Sequence, residues 1–328
     1  MKFRDLFNNR KMLLAVDFSN GYLNILKLKK EEHNFRIDTV YTESLSACVT
    51  NKKEDYNRLL KQIIQEYHLE DDKIITFIPA EETYVMFFDI PCMPLKEVKA
   101  NIETELSNLL GNNFDQIRFD YQILEKTNSN EYKILCVAIK EDVLMRHMKL
   151  FTGLEVATVD SGYFALQNCF ELNYPEDVSK LVALIDFYNT GAHILVCKNG
   201  KSEFCSDIDL TENLSKAVLE QNDIEKISEI LKKQLKQIED DHNNQEKIEL
   251  LFLSGNLSDS NLMLLKESLE NDLSTRILKP FRFLTNEDIA KINNFENIAT
   301  HNFIRCVGGA IRTINDDCSK DNLLGSML

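Results

Sequence analysis

Leu13–Leu28 reads LLAVDFSNGYLNILKL, and it sets the plan of the chain. An apolar run, Leu13–Val16, carries Asp17 into a polar turn, Phe18-Ser19-Asn20-Gly21, and a second run, Tyr22–Leu28, leaves it. That pattern is a strand, a tight turn and a returning strand. Half a chain later, Leu181–Val196 reads LVALIDFYNTGAHILV. Both turns share Asp-Phe-x-Asn, followed by Gly at once (Gly21) or after one residue (Gly191). The echo predicts a duplicated, two-lobed α/β protein with one turn from each lobe facing a common cleft.

The chain has 328 residues, 44% of them hydrophobic, enough for one large or two medium cores. Its net charge of −15 argues against nucleic acid as a ligand, because phosphate binding wants basic surface. None of the eight cysteines forms a CxxC pair, and most lie in apolar runs such as ILCVAI around Cys136. They read as reduced core residues, not as disulfides or a zinc site. No stretch approaches the roughly 18 apolar residues of a membrane span. No signal peptide precedes the first strand, so a cytoplasmic protein is expected.

In chain order, residues 1–11 are a flexible basic start, and Asn34–Ser44 is a third strand. Asp55–Leu69 has helical apolar spacing, and Lys73–Pro79 is a buried strand. Thr83–Pro94 is a strand ended by two prolines. Leu95–Leu110 then carries one apolar stripe closed by Gly111. Strands Gln116–Leu124 and Tyr132–Ile139, helix Glu141–Phe151, strand Leu154–Val159 and helix Ser161–Phe170 follow. The second half repeats the hairpin and turns at Asn199-Gly200, a strong hairpin signal. It adds helices at Asn213–Leu219, Asp223–Ile238 and Leu262–Leu273, and a strand at Ile248–Asn256. Arg276–Phe283 is a further segment, and His301–Thr313 is a helix interrupted by Gly308-Gly309. The expected domains are a first lobe at 12–80 and 152–175, an inserted subdomain at 81–151, a second lobe at 176–314 and a flexible acidic tail at 315–328.

Several landmarks in this order carry a resemblance. They are Ile90-Pro91-Cys92-Met93-Pro94, Glu103-x-Glu105, Asp120-Tyr121-Gln122-Ile123-Leu124, Asp186 with Lys198-Asn199-Gly200, Ser254-Gly255-Asn256, Pro280-Phe281 and Gly308-Gly309-Ala310-Ile311-Arg312. From about Leu13 to Arg312 the chain resembles the PilM family, actin-like cytoplasmic proteins of type IV pilus assembly related to the division protein FtsA. The resemblance implies an actin-like (ribonuclease H-like) two-lobed fold with an FtsA-type subdomain inserted in the first lobe. It also implies a partner, the cytoplasmic N-terminal tail of a PilN-like bitopic inner-membrane protein, and a place in a larger machine as a homo-oligomeric ring.

Actin-like sites bind ATP with two phosphate hairpins, each a strand, an Asp and then Gly, where backbone must approach phosphate without a Cβ. Their Asp residues organise a hydrated Mg²⁺. Here Asp17 and Asp186 remain, while Ser19 and Tyr188 replace the glycines. The nucleotide candidates are Asp17, Ser19, Asn20, Asp186, Asn189, Thr190, Ser254, Gly255 and Asn256, with Asp17 and Asp186 as water-mediated Mg²⁺ ligands. The alternative is that the two Asp residues cap strand ends and turns. Tyr188 is expected to project into phosphate space or to push the loop away. No base for activating water stands out, so no catalytic residue and no hydrolysis are expected.

The family's groove for the partner tail places Phe87, Ile90, Pro91, Met93, Pro94 and Glu105 as its lining; Phe87 and Ile90 would otherwise be core. Three functions remain open at this point. One is a pilus scaffold with degenerate nucleotide motifs. The second is a nucleotide-switched ATPase of pilus assembly. The third is an FtsA-like protein or the cytoplasmic part of a type II secretion platform. The acidic end lacks the basic amphipathic helix of the FtsA class.

Overall fold

The computed structural model describes residues 13–19, 21–31, 34–45, 53–111, 116–214, 219–241, 246–284 and 300–311. They form two compact units. One consists of the described residues of Ala47–Gly162, the other of those of Lys11–Ser46 and Tyr163–Thr313.

The opening hairpin is β1 (Leu14–Ser19) and β2 (Tyr22–Glu31), antiparallel, with Asp17 opposite Asn24. Leu14, Ala15 and Val16 are fully buried, and Gly21 takes φ 75° in the turn, where a Cβ is disfavoured. β3 (Asn34–Ser44) extends the meander along β2.

In the Ala47–Gly162 unit, α1 (Lys53–Glu66) leads to β4 (Ile74–Ile78), which is buried along its length. A run of this kind belongs to a strand covered on both faces. β5 (Thr83–Pro91) is followed by α2 (Leu95–Leu110), which ends on Gly111 at φ 58°. β6 (Ile117–Lys126) and β7 (Glu131–Lys140) complete a three-stranded antiparallel sheet of order β5-β7-β6. Val98, Ile102 and Leu106 of α2 recur at one face of the helix. They seal Ile90, Ile134 and Cys136 beneath them. α3 (Glu141–Met148) is shorter than its periodicity predicts, because Lys149–Phe151 tightens into a 3₁₀ turn before Gly153 at φ 80°. β8 (Val156–Ser161) then pairs in parallel with β4.

α4 (Gly162–Asn173) precedes the second meander: β9 (Val182–Tyr188), β10 (Gly191–Lys198) and β11 (Lys201–Asp209). All three are antiparallel, as in β1–β3. A short helix, α5 (Thr211–Leu214), and α6 (Gln221–Asp241) follow. The rest of the helix expected over Asn213–Leu219 lies mostly outside the described residues. β12 (Leu250–Gly255) runs parallel to β9, and α7 (Asp259–Glu270) packs beside α6. β13 (Thr275–Ile277) closes the order β11-β10-β9-β12-β13. It stops short of Pro280, which has no N–H for a ladder. Ile224, Ile227, Leu231, Leu235 and Ile238 of α6 and Leu262, Leu265 and Leu269 of α7 cover one face of this sheet. A 3₁₀ turn, Thr300–Phe303, runs into α8 (Ile304–Ala310). Gly308-Gly309 does not interrupt α8. A Cβ on Gly308 would stand 1.8 Å from the Ala165 carbonyl oxygen, so this glycine is where α8 touches α4. Arg312 lies outside the described residues.

Candidate functional site

The second meander aligns four polar side chains across four strands. Asp207 of β11 faces His193 of β10, His193 faces Asp186 of β9, and Asp186 faces Ser254 of β12. Residues directly opposed on neighbouring strands share a face of the sheet. This row occupies the face away from α6 and α7, where Ile185, Ile194 and Leu253 point. Asp186, His193 and Ser254 are buried, and buried polar groups need partners; Asp207, at the end of the row, is exposed.

Each has one. Asp186 accepts from Arg305 Nη2 at its Oδ2, 3.0 Å away, and both side chains are under 10% exposed. Its Oδ1 lies 3.0 Å from Ser254 Oγ, whose single proton is shared with the Ile185 carbonyl at the same distance. At the other end, Tyr163 Oη donates to Asp207 Oδ1 at 2.6 Å and lies 3.2 Å from His193 Nδ1. His193 Nδ1 also bonds Asp207 Oδ1. Burial and the neighbouring Asp207 push the Tyr163 hydroxyl well above its ordinary pKa. Burial alone would raise Asp207, but hydrogen bonds from His193 and Tyr163 outweigh it and hold the carboxyl below its ordinary value. His193 is 1% exposed and packs against Tyr163 and Tyr188.

Tyr188 does not project outward. Its ring stacks on His193, with centroids 4.4 Å apart and planes 21° from parallel. It lies over Gly191, where a Cβ would meet Tyr188 Oη at 2.5 Å and the Ile208 carbonyl oxygen at 2.2 Å. Tyr188, like Asp186 and His193, points to the polar face by the pleat, so the ring turns back over its own hairpin. The two turn glycines therefore differ: Gly21 makes a turn, whereas Gly191 is the first strand residue and leaves room for a ring.

Asn189 and Asn256 meet at the ends of β9 and β12, next in sequence to Thr190 and Gly255. Asn256 donates its backbone N–H to the Phe187 carbonyl at 2.7 Å and its side-chain amide to Asn189 Oδ1 at 2.6 Å. Gly255 sits at φ 102°, its Cβ position 2.2 Å from Phe187 backbone, so only glycine fits. The Thr190 carbonyl accepts from Leu210 N–H at 2.9 Å.

In the first hairpin Asp17 is 2% exposed and accepts from Ser19 Oγ at 2.5 Å. Asn20 lies outside the described residues. Asn24, opposite Asp17, is fully buried and accepts from Thr42 Oγ1 at 2.7 Å. α8 packs against β1 and β2 through Cys306, whose Sγ lies 3.5 Å from the Asn24 carbonyl and 4.0 Å from that of Ala15. Burial, and after it the Asp17 charge, push this thiol well above its ordinary pKa. Adjacent residues of α8 thus reach both hairpins: Arg305 to β9, Cys306 to β1 and β2.

These residues do not fit a hydrated Mg²⁺ at Asp186. Mg²⁺ wants carboxylate and water oxygens. Here a guanidinium already neutralises the carboxylate, and a hydroxyl takes its other oxygen. Among the described residues no group of three His, Cys, Asp or Glu side chains gathers in metal-binding geometry. Sequence reasoning missed Arg305, Tyr163 and Asp207. Arg305 had a signal, a lone cation in the apolar stretch HNFIRCVGGA.

The tail-groove candidates lie on β5 and α2. Ile90 is 1% exposed and faces α2, whereas Phe87, three residues earlier, lies half-buried on the opposite face of β5. Pro91 and Pro94 are exposed, and Met93 is half-buried against the core beneath α2. Glu105 is half-buried on α2, between Ile102 and Leu106.

Two antiparallel meanders, each bringing a buried Asp to its hairpin, together with parallel strands and covering helices, define an actin-like α/β protein. Residues 15–243 match the family described as type IV pilus assembly protein PilM, and the chain belongs to that family. Among solved structures, it is similar to one described as a PilM-PilN type IV pilus biogenesis complex. The identity is 13% and the TM-score 0.75, over 93% of this chain and 99% of that one. It is also similar to the cytoplasmic domain of EpsL, an inner membrane component of the type II secretion system of Vibrio cholerae. There the identity is 13% and the TM-score 0.50, over 88% and 100% of the two chains. At these identities the likeness establishes the fold. No curated protein matches the chain.

Proposed function

We propose that this chain is a cytoplasmic scaffold of a type IV pilus machine that holds the N-terminal tail of a PilN-like bitopic inner-membrane protein. Its place at the inner membrane then comes through that partner; among the described residues no helix is long and apolar enough to cross a membrane. The lobes are read as residues 12–80 with 152–175 and 176–314, the subdomain as 81–151, and the assembly as a ring.

One observation carries this reading: β5 is an edge strand that ends in an exposed, apolar, proline-fixed rim. An edge strand offers a row of backbone groups to an added strand. Pro91 and Pro94 limit the conformations of the rim before anything binds. Phe87 and Met93 supply apolar contact, with methionine adapting to the shape it meets. Ile90 supports the segment from inside, and Glu105 offers a carboxylate to a tail amide or arginine.

The test is fluorescence anisotropy with labelled peptides from the partner tail. Phe87→Ala and Met93→Ala should each weaken binding about tenfold or more, as truncation of a buried anchor does. Leu264→Ala, exposed on α7, serves as control and should leave it unchanged. Equal affinity in all three variants would place the groove elsewhere, and no binding by the wild type would remove the adaptor role.

A further inference from the structure

We infer that Arg305 is the resident cation of this site: a guanidinium built into α8 that neutralises Asp186 and closes the position to a divalent ion. The bond from Nη2 to Oδ2 is 3.0 Å, both groups are under 10% exposed, and Ser254 takes the second carboxylate oxygen. A divalent ion at Asp186 would have to displace an arginine that is always charged, or sit beside it against like-charge repulsion. The arginine is held by its helix, since Cys306 next to it is fully buried against the backbone of β1 and β2. α8 therefore reaches the β1–β2 hairpin through Cys306 and β9 through Arg305. This inference stands apart from tail binding, because every residue in it belongs to the other compact unit.

The experiment uses the full chain, with Mn²⁺ alone as a paramagnetic probe and Mg²⁺ with ATP as a second ligand. Electron paramagnetic resonance reads free Mn²⁺, and thermal unfolding reads stabilisation. Wild type should bind Mn²⁺ no more tightly than Asp186→Asn does, and its Tm should be the same with Mg²⁺-ATP as with EDTA. Arg305→Met should bind Mn²⁺ at least about tenfold tighter than wild type, with a Tm that rises on adding metal. Arg305→Lys should behave as wild type, and Asp186→Asn with Arg305→Met should lose the gain. A folded Arg305→Met chain with no added metal affinity would overturn the inference. So would a wild-type Tm that rises with Mg²⁺-ATP and loses that response in Asp186→Asn; this second arm decides the matter even where Arg305→Met does not fold.

Discussion

The Arg305–Asp186 pair makes a quantitative claim about stability. At 3.0 Å and an effective dielectric near 20, the attraction between the two charges is about 5–6 kcal/mol. Desolvation of both groups takes back most of it, so the intact pair adds little net stability. Removing one partner is different. Arg305→Met leaves a buried carboxylate with Ser254 as its remaining side-chain partner, and Asp186→Leu takes from the buried guanidinium the carboxylate it bonds at 3.0 Å. Each should cost about 3–5 kcal/mol, a large part of the total stability of a typical domain. The double variant removes both charges and replaces them with apolar volume. It should lose no more than the worse single, which corresponds to a coupling energy of at least about 3 kcal/mol. The chain has no Trp, so urea unfolding is best followed by circular dichroism, with amide exchange at β9 and β10 reporting this unit alone. Single variants that each cost under about 1 kcal/mol and add independently would mean a solvated pair of the surface kind. The idea of a resident cation would then fail.

Two further outcomes follow from the same face. Gly191→Ala should destabilise by about 1–3 kcal/mol through overpacking. Adding Tyr188→Ala should restore only part of that loss, because the Ile208 carbonyl 2.2 Å from the new Cβ is backbone; full recovery in a thermal melt would show that the ring alone sets the constraint. The second concerns Asp207, whose carboxyl is held below its ordinary value of 3.8, so its contribution is present above that pH and is lost as pH falls through the lowered value. With its side chain 51% exposed the effect is about 1 kcal/mol or less. Between about pH 5 and pH 3 the Tm of Asp207→Asn should fall less steeply than that of wild type, and parallel slopes would mean the His193 and Tyr163 bonds do not discriminate the charged form.

The sequence showed most clearly those elements whose signals are local. β3 spans Asn34–Ser44 and α2 spans Leu95–Leu110, the predicted bounds in both cases. In α2 the apolar period, Pro94 before it and Gly111 after it agree, and agreement between levels leaves little freedom. The duplicated hairpin was legible for the same reason. The polar row was not. Asp186, His193, Asp207 and Ser254 meet only through strand register, and register depends on loop lengths that no motif encodes. Tyr188 was expected to enter phosphate space or to push the loop away, and its stacking on His193 could not be read from the turn motif. The pleat instead gives it the same face as Asp186 and His193, where aromatic stacking is available.

The two hairpins look alike in sequence, and their polar chemistry is turned inward in different ways. Asp17 is met by Ser19, two residues on along its own strand, whereas Asp186 is met by Ser254 and by an arginine far along the chain. Charges satisfied within the protein have little left to offer a ligand, since a new partner must first replace bonds already made in a buried setting. β5 presents the opposite case. Phe87 and Met93 are half-buried, Pro91 and Pro94 are exposed, and the strand lies at the edge of its sheet. Apolar area and backbone groups there still have something to gain from contact. On these grounds we propose that the hairpin that announces the fold acts as internal structure. The proposed recognition surface is β5, whose sequence carries none of the hairpin repeat.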